Sequence, residues 1–270
     1  MPSTRPTPDS SQPGGGTVTI SPSTSTFTNV ATPDGPMQVY EAAPAGATSR
    51  AVLVVHDGFG TGPSVRAMCD LLAGAGWYVL CPQLYHRSGH VEINHDNDFT
   101  LLGEALESDT HVLADLDSTL VLLGDRGFAP DATAILGFCW GGRGAFLGAL
   151  ERPFAAAVSF YGTGIVEALE LPGVQYAHPQ LPLISDSARL RCPWLGVFAG
   201  ADPFVPADHV ARLHAELDRV ATVPHEVRTF DGQPHGFVHH GVATSADITG
   251  AARTAWDGAL AFLDTHFPAS

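Results

Sequence analysis

Three residue types needed for nucleophilic acyl transfer occur in the order Cys139, Asp202, His235, each a few residues beyond an apolar stretch. A thiol attacks a carbonyl well only as the thiolate. It therefore needs a neighbouring base, and the base needs an acid to fix its tautomer and orientation. Cys139 sits in Gly137-Phe138-Cys139-Trp140-Gly141-Gly142, after the apolar run Ala132 to Leu136 and before Arg143-Gly144-Ala145-Phe146-Leu147. A strand, then small-x-nucleophile-x-small, then a helix is the pattern of a sharp turn that exposes a nucleophile. Its glycines make room where neighbouring backbone passes too close for a Cβ. Asp202 lies in Gly200-Ala201-Asp202-Pro203, past Trp194 to Ala199, and His235 lies in Gln233-Pro234-His235-Gly236, past a stretch ending at Phe230. Cysteine stands where serine is usual, which replaces a hydroxyl with a thiol that ionises near neutral pH.

Acyl transfer also needs donors for the developing oxyanion. The backbone N–H of Trp140, directly after the nucleophile, is one. The loop after Ala51 to Val55, His56-Asp57-Gly58-Phe59-Gly60, offers the N–H of Gly58 as the other. Plainer readings stand beside these. Asp202 also suits the cap of a helix starting near Val205, and Asp208 is a rival acid, although inside that helix. The glycines of residues 58–62 also suit a tight turn, and they lack the lysine of a phosphate loop. Tyr85, Phe59 and Trp140 either line an apolar pocket or belong to the core. His235 and His239 have helical metal-ligand spacing, but their segment has the composition of a turn, and His86, His90, His95 and His111 scatter without ligand spacing, so no metal site is expected.

The elements that must position these residues alternate. Strands are expected at Phe27–Val30, Met37–Glu41, Ala51–Val55, Trp77–Leu80, Ala132–Leu136, Phe154–Phe160, Trp194–Ala199 and His225–Phe230. Helices are expected at Ser64–Ala75, over Phe99–Leu123 with Asp96-Asn97-Asp98 as its cap, after Cys139, at Val205–Val220 and at Ile248–Phe267. This alternation predicts an α/β protein with a mostly parallel central sheet and helices on both faces. In such sheets functional groups collect at the carboxyl ends of strands, where all three candidates fall. Residues 1–16, rich in Pro, Ser, Thr and Gly, read as a disordered tail. The remainder, 17–270, reads as one domain with a loop or small cap inserted at about 162–191.

The 270 residues carry 28 acids against 13 bases, a formal net charge of −15. That balance argues against nucleic acid or an anionic membrane surface as partner. Cys69, Cys81, Cys139 and Cys192 form no CxxC pair, and free thiols fit a cytoplasmic location. No apolar run approaches a membrane span.

The chain resembles the dienelactone hydrolase family of α/β-hydrolases. The matching segments are Val54-Val55-His56-Asp57-Gly58-Phe59-Gly60, Cys81-Pro82-Gln83-Leu84-Tyr85-His86-Arg87, Gly137-Phe138-Cys139-Trp140-Gly141-Gly142, Ser159-Phe160-Tyr161-Gly162, Gly200-Ala201-Asp202 and His235-Gly236-Phe237. The resemblance implies an α/β-hydrolase fold, a Cys139–Asp202–His235 triad, an oxyanion hole at Gly58 and Trp140, and no cofactor. It implies a small ester or lactone as substrate, a thioester on Cys139, and a monomer or homodimer. Asp57 stands where the family has a glutamate that contacts the resting nucleophile and takes part in its activation, which implies a catalytic role for Asp57. Arg87 matches one of two family arginines that hold a substrate carboxylate, and His239 replaces the other. A neutral imidazole holds a carboxylate more weakly than a bidentate guanidinium, which argues against dienelactone itself. The alternative is a lyase, cyclase or other non-hydrolytic tailoring enzyme reusing the same site.

Overall fold

The computed structural model describes residues 23–89, 93 and 99–267. The expected N-terminal tail, His90, His95 and the expected cap at Asp96 to Asp98 lie outside the described residues. Eight strands form one sheet: β1 (Ser23–Thr32), β2 (Gly35–Pro44), β3 (Ala51–Val55), β4 (Tyr78–Pro82), β5 (Thr133–Phe138), β6 (Ala157–Phe160), β7 (Trp194–Ala199) and β8 (His225–Phe230). Their order is β1-β2-β4-β3-β5-β6-β7-β8. The β1–β2 and β2–β4 pairs are antiparallel, and every pair from β4 to β8 is parallel.

Composition explains which strands are central. β3 is Ala-Val-Leu-Val-Val with every residue buried, as a strand covered on both faces requires. Its side chains alternate between two cores. Leu53 and Val55 join a layer containing Leu116, Phe146 and Leu213, whereas Val52 and Val54 join one containing Met68, Leu72, Trp256 and Phe262. Thus α1 (Pro63–Gly74) and α6 (Gly250–His266) cover one face. The other face is covered by α3 (Asp109–Asp125), α4 (Trp140–Glu151) and α5 (Ala207–Val220).

The helix expected over Phe99–Leu123 is two helices, α2 (Thr100–Ala105) and α3. Leu106 is extended, and Ser108 restarts the helix by accepting the His111 N–H at 3.2 Å. Residues 162–191 contain no strand and one short 3₁₀ turn, Ile184–Arg189. No helix among the described residues is long and apolar enough to cross a membrane.

Candidate active site

Cys139 links β5 to α4 with φ 56° and ψ −121°, a conformation that costs a non-glycine residue about 1–3 kcal/mol. The surroundings impose it. The Cys139 N–H donates to the Phe160 carbonyl at 3.0 Å, and the Cys139 carbonyl accepts the Gly142 N–H at 2.9 Å and the Thr163 N–H at 3.3 Å. A Cβ on Gly137 would collide with the Gly141 carbonyl, and one on Gly141 with the carbonyls of Val55 and His56. The turn is therefore packed so closely, on itself and against β3, that only glycine fits on either side of Cys139.

Asp202 follows β7 and His235 follows β8, and the two meet through Asp202 Oδ2 and His235 Nδ1 at 2.6 Å. The other Asp202 oxygen accepts the N–H groups of Phe204 at 2.8 Å and Val205 at 3.2 Å. One Asp202 oxygen thus meets His235, and the other braces a turn instead of capping the helix as expected, since α5 has Pro206 at its N-cap and no side-chain cap. The turn it braces precedes α5, which starts only at Ala207. Asp208, the rival acid, lies in the first turn of that helix. His235 is wedged between the edges of Tyr161 and Phe204, with both ring centroids 5.0 Å away. Its Nε2 is buried and makes no conventional hydrogen bond among the described residues. Burial pushes the imidazole toward neutrality, but the charge of Cys139 and the Asp202 carboxylate outweigh it and raise its pKa to about 10.

The loop after β3, expected to supply the second oxyanion donor, is scaffolded by buried polar groups. The Gly58–Phe59 peptide is held at both ends: Tyr85 Oη donates to the Gly58 carbonyl at 2.9 Å, and Phe59 N–H donates to Asp57 Oδ1 at 2.8 Å. His56 accepts the Leu84 N–H on Nε2 at 3.2 Å, so its Nδ1–H donates to the Asp57 carbonyl at 2.6 Å. Across the cavity Trp140 is the first residue of α4, where a backbone N–H has no intrahelical acceptor. Gly58, Phe59, Cys139, Trp140 and His235 all line a cavity of about 270 Å³.

Four expected site residues lie elsewhere. Tyr85 is fully buried behind the loop, packed edge-on against His56, and supports the site without lining it. Asp57 does not turn to the nucleophile: Oδ2 pairs with His239 Nε2 at 2.8 Å, and Oδ1 is taken by Phe59. Burial alone would raise the Asp57 pKa, but these bonds overcome it and hold the pKa below the usual carboxylate value. His239 is fully buried, bonded through Nδ1 to Tyr161 Oη at 2.6 Å and stacked on Phe138, so it presents nothing to a substrate. Arg87 grips the buried Asp115 with two nitrogens at 2.7 and 2.8 Å and Asp34 with a third at 2.7 Å.

Those contacts make Arg87 a structural residue, and its removal leaves the Asp115 carboxylate buried without its guanidinium. Arg87→Ala is expected to lower unfolding free energy by about 3–5 kcal/mol while leaving KM for a neutral ester unchanged. Urea denaturation and steady-state kinetics on the same variant check both halves.

The cavity also recruits residues that sequence reasoning passed over. Leu102 and Leu106, apolar residues at helical spacing, face the cavity, together with Phe99, Leu169, Leu171, Phe204, Thr163 and His240. Gln180, from the inserted segment, accepts the Trp140 indole N–H at 2.8 Å and donates to the Glu107 and His178 carbonyls. Nothing in the composition of that segment marked it. Among the described residues, two groups have donor atoms close enough for a metal ion, Asp57 with His239 and His240, and Glu107 with His111 and His178. In each, one carboxylate–imidazole hydrogen bond already joins two members.

Strand order, elbow and acid–base pair together define an α/β-hydrolase. The dienelactone hydrolase family model matches residues 37–267. A Yersinia pestis protein provisionally named a carboxymethylenebutenolidase is 33% identical over 190 residues, spanning 69% of this chain and 67% of that one. A carboxymethylenebutenolidase homolog of Xenopus tropicalis is 31% identical over 207 residues, 75% of this chain and 76% of that one. The solved structure of a Klebsiella pneumoniae protein, provisionally described as a dienelactone hydrolase, superposes with a TM-score of 0.74 at 27% identity, covering 90% of this chain and 99% of that one. The chain belongs to the dienelactone hydrolase family, and it is a hydrolase acting on lactones or esters.

Proposed function

We propose that this enzyme cleaves its lactone or ester through a thioester on Cys139. The observation that carries the reading is the buried His235, braced by Asp202 and raised by the charge of Cys139. His235 takes the proton of the Cys139 thiol, which leaves a thiolate beside an imidazolium held by Asp202. The thiolate attacks the acyl carbon, and the carbonyl π electrons move to oxygen, where the N–H groups of Trp140 and Gly58 receive the charge. Each such donor is worth about 3–4 kcal/mol in comparable sites. Collapse breaks the acyl C–O bond, and the His235 imidazolium gives its proton to the departing alkoxide. Neutral His235 then takes a proton from water as the water oxygen attacks the thioester. Collapse of this second adduct releases the acid and restores the thiolate–imidazolium pair. Asp57, Tyr85 and His239 act in this scheme only by holding the oxyanion loop.

Mass spectrometry of enzyme quenched during turnover of an aryl ester tests the reading. An acyl mass on the peptide bearing Cys139 is expected; its absence during steady turnover favours a non-hydrolytic use of the site. Because Cys69, Cys81 and Cys192 are also free, and all three are buried, the reading includes a reducing, cytoplasmic setting.

The raised His235 pKa has a signed consequence. Folding favours the protonated imidazole, so the associated stability is fully present below about pH 6.5 and is lost as pH rises through about 10. Wild type is expected to lose stability relative to His235→Gln across that window. A pH series of urea denaturations on both proteins measures it, and a difference that stays flat contradicts the ion pair.

A further inference from the structure

The cavity walls and the placement of every described arginine together bear on which esters can enter. We propose that the acyl group accepted here is uncharged and apolar, and that acyl groups carrying a carboxylate are rejected. The proposal rests on the ester- or lactone-cleaving reading above.

A carboxylate removed from water needs a cation or several donors, or its burial is prohibitively costly. The chain has no lysine: all 13 of its bases are arginines. Arg5 and residues 90–92 and 94–98 lie outside the described residues, and the latter two segments contain no arginine. Each of the others, from Arg50 to Arg253, is bonded to a carboxylate or a backbone carbonyl, and none lines the cavity. Arg87 is held by Asp115 and Asp34, and His239 by Asp57 and Tyr161.

What faces the cavity instead is mostly apolar, Phe59, Phe99, Leu102, Leu106, Leu169 and Leu171, with the buried Thr163 hydroxyl as one neutral donor, too little for a carboxylate. Among the described residues its titratable bases are His235, committed to Asp202, and His240, whose Nε2 lies 3.9 Å from Asp57 Oδ2. An adjoining cavity that shares Leu169 and Phe204 presents Glu167 and Glu170. There Glu167 is paired with Arg212, Glu170 adds a negative charge, and the chain's charge of −15 adds a field that repels anions. The volume of about 270 Å³ suits an aryl or medium-chain acyl group, since a cavity of about 150 Å³ already admits benzene.

The test compares two p-nitrophenyl esters with one leaving group at pH 8: the phenylacetate, which is neutral, and the hydrogen glutarate, whose acyl chain ends in a carboxylate. Each kcat/KM is divided by the hydroxide-catalysed rate of the same ester to remove intrinsic reactivity. The corrected value is expected to be at least about tenfold higher for the neutral ester. A ratio below tenfold, or one favouring the anion, overturns the inference and leaves the hydrolase reading standing. Failure to turn over either ester, with Cys139 shown to be free by alkylation, overturns both.

Discussion

Cys139→Ala is expected to lower kcat/KM for an aryl ester by about 10⁴-fold or more. The substitution removes the attacking atom while leaving the oxyanion donors and the cavity in place, so a residual rate above that of water survives. His235→Ala is expected to cost about as much, because a thiol without its base presents little thiolate, and because no donor remains for the leaving alkoxide. The informative measurement is the double variant. Residues that act as one unit lose their effect together, so Cys139→Ala with His235→Ala should be no slower than either single change. Losses that multiply would mean that the two residues act independently and that the shared thiolate–imidazolium description is wrong. Asp202→Asn belongs to the same series, with an expected loss of about 10⁴-fold, since an amide cannot hold the imidazolium that Nδ1 presents at 2.6 Å.

Gly141→Ala is expected to cost the fold rather than the chemistry, by more than about 4 kcal/mol. Its Cβ would fall on the carbonyl oxygens of Val55 and His56, both backbone atoms of the central region and unable to give way as a flexible side chain would. Gly124 supplies the contrast. It lies in the last turn of α3, exposed, with nothing within 4 Å of a Cβ built there. Gly124→Ala is therefore expected to stabilise the protein by about 0.5–1 kcal/mol, through reduced freedom of the unfolded chain and better helix propensity. Chemical denaturation of the two variants beside wild type reads both signs. Equal effects would mean that the packing of α4 on β3 is much looser than described.

The parts of the molecule legible in the sequence are those written in local periodicity. β3 is five consecutive apolar residues and was readable as a strand covered on both faces. The elbow was readable because its glycines surround one reactive side chain. The split between α2 and α3 was not, since Leu102, Leu106, Leu113 and Leu116 keep helical spacing across the break. The backbone breaks at residues 106–108, where the one sequence mark is the Ser108 cap, and a serine in a helical pattern is too common to decide it. The partnership of Asp57 with His239 spans 182 residues of chain and exists only once β3 and β8 share a sheet. The cover over the cavity was hidden for another reason. Residues 162–191 fold without regular elements, so Leu169, Leu171 and Gln180 take their places from contacts rather than from pattern.

Four strand-to-strand steps separate β3 from β8 in the sheet, through β5, β6 and β7. Each step of a natural sheet rotates by roughly 20–25°, so the loops leaving those two strands fan apart by something near a right angle. Small changes in twist would swing the oxyanion loop against the histidine loop, much as the tips of a fan spread when its ribs turn slightly. The hydrogen-bonded chain from Phe59 N–H through Asp57 and His239 to Tyr161 closes that fan at its open edge. It acts as a tie-rod between two loops that the sheet anchors separately, so that neither can shift without straining the bonds to the other.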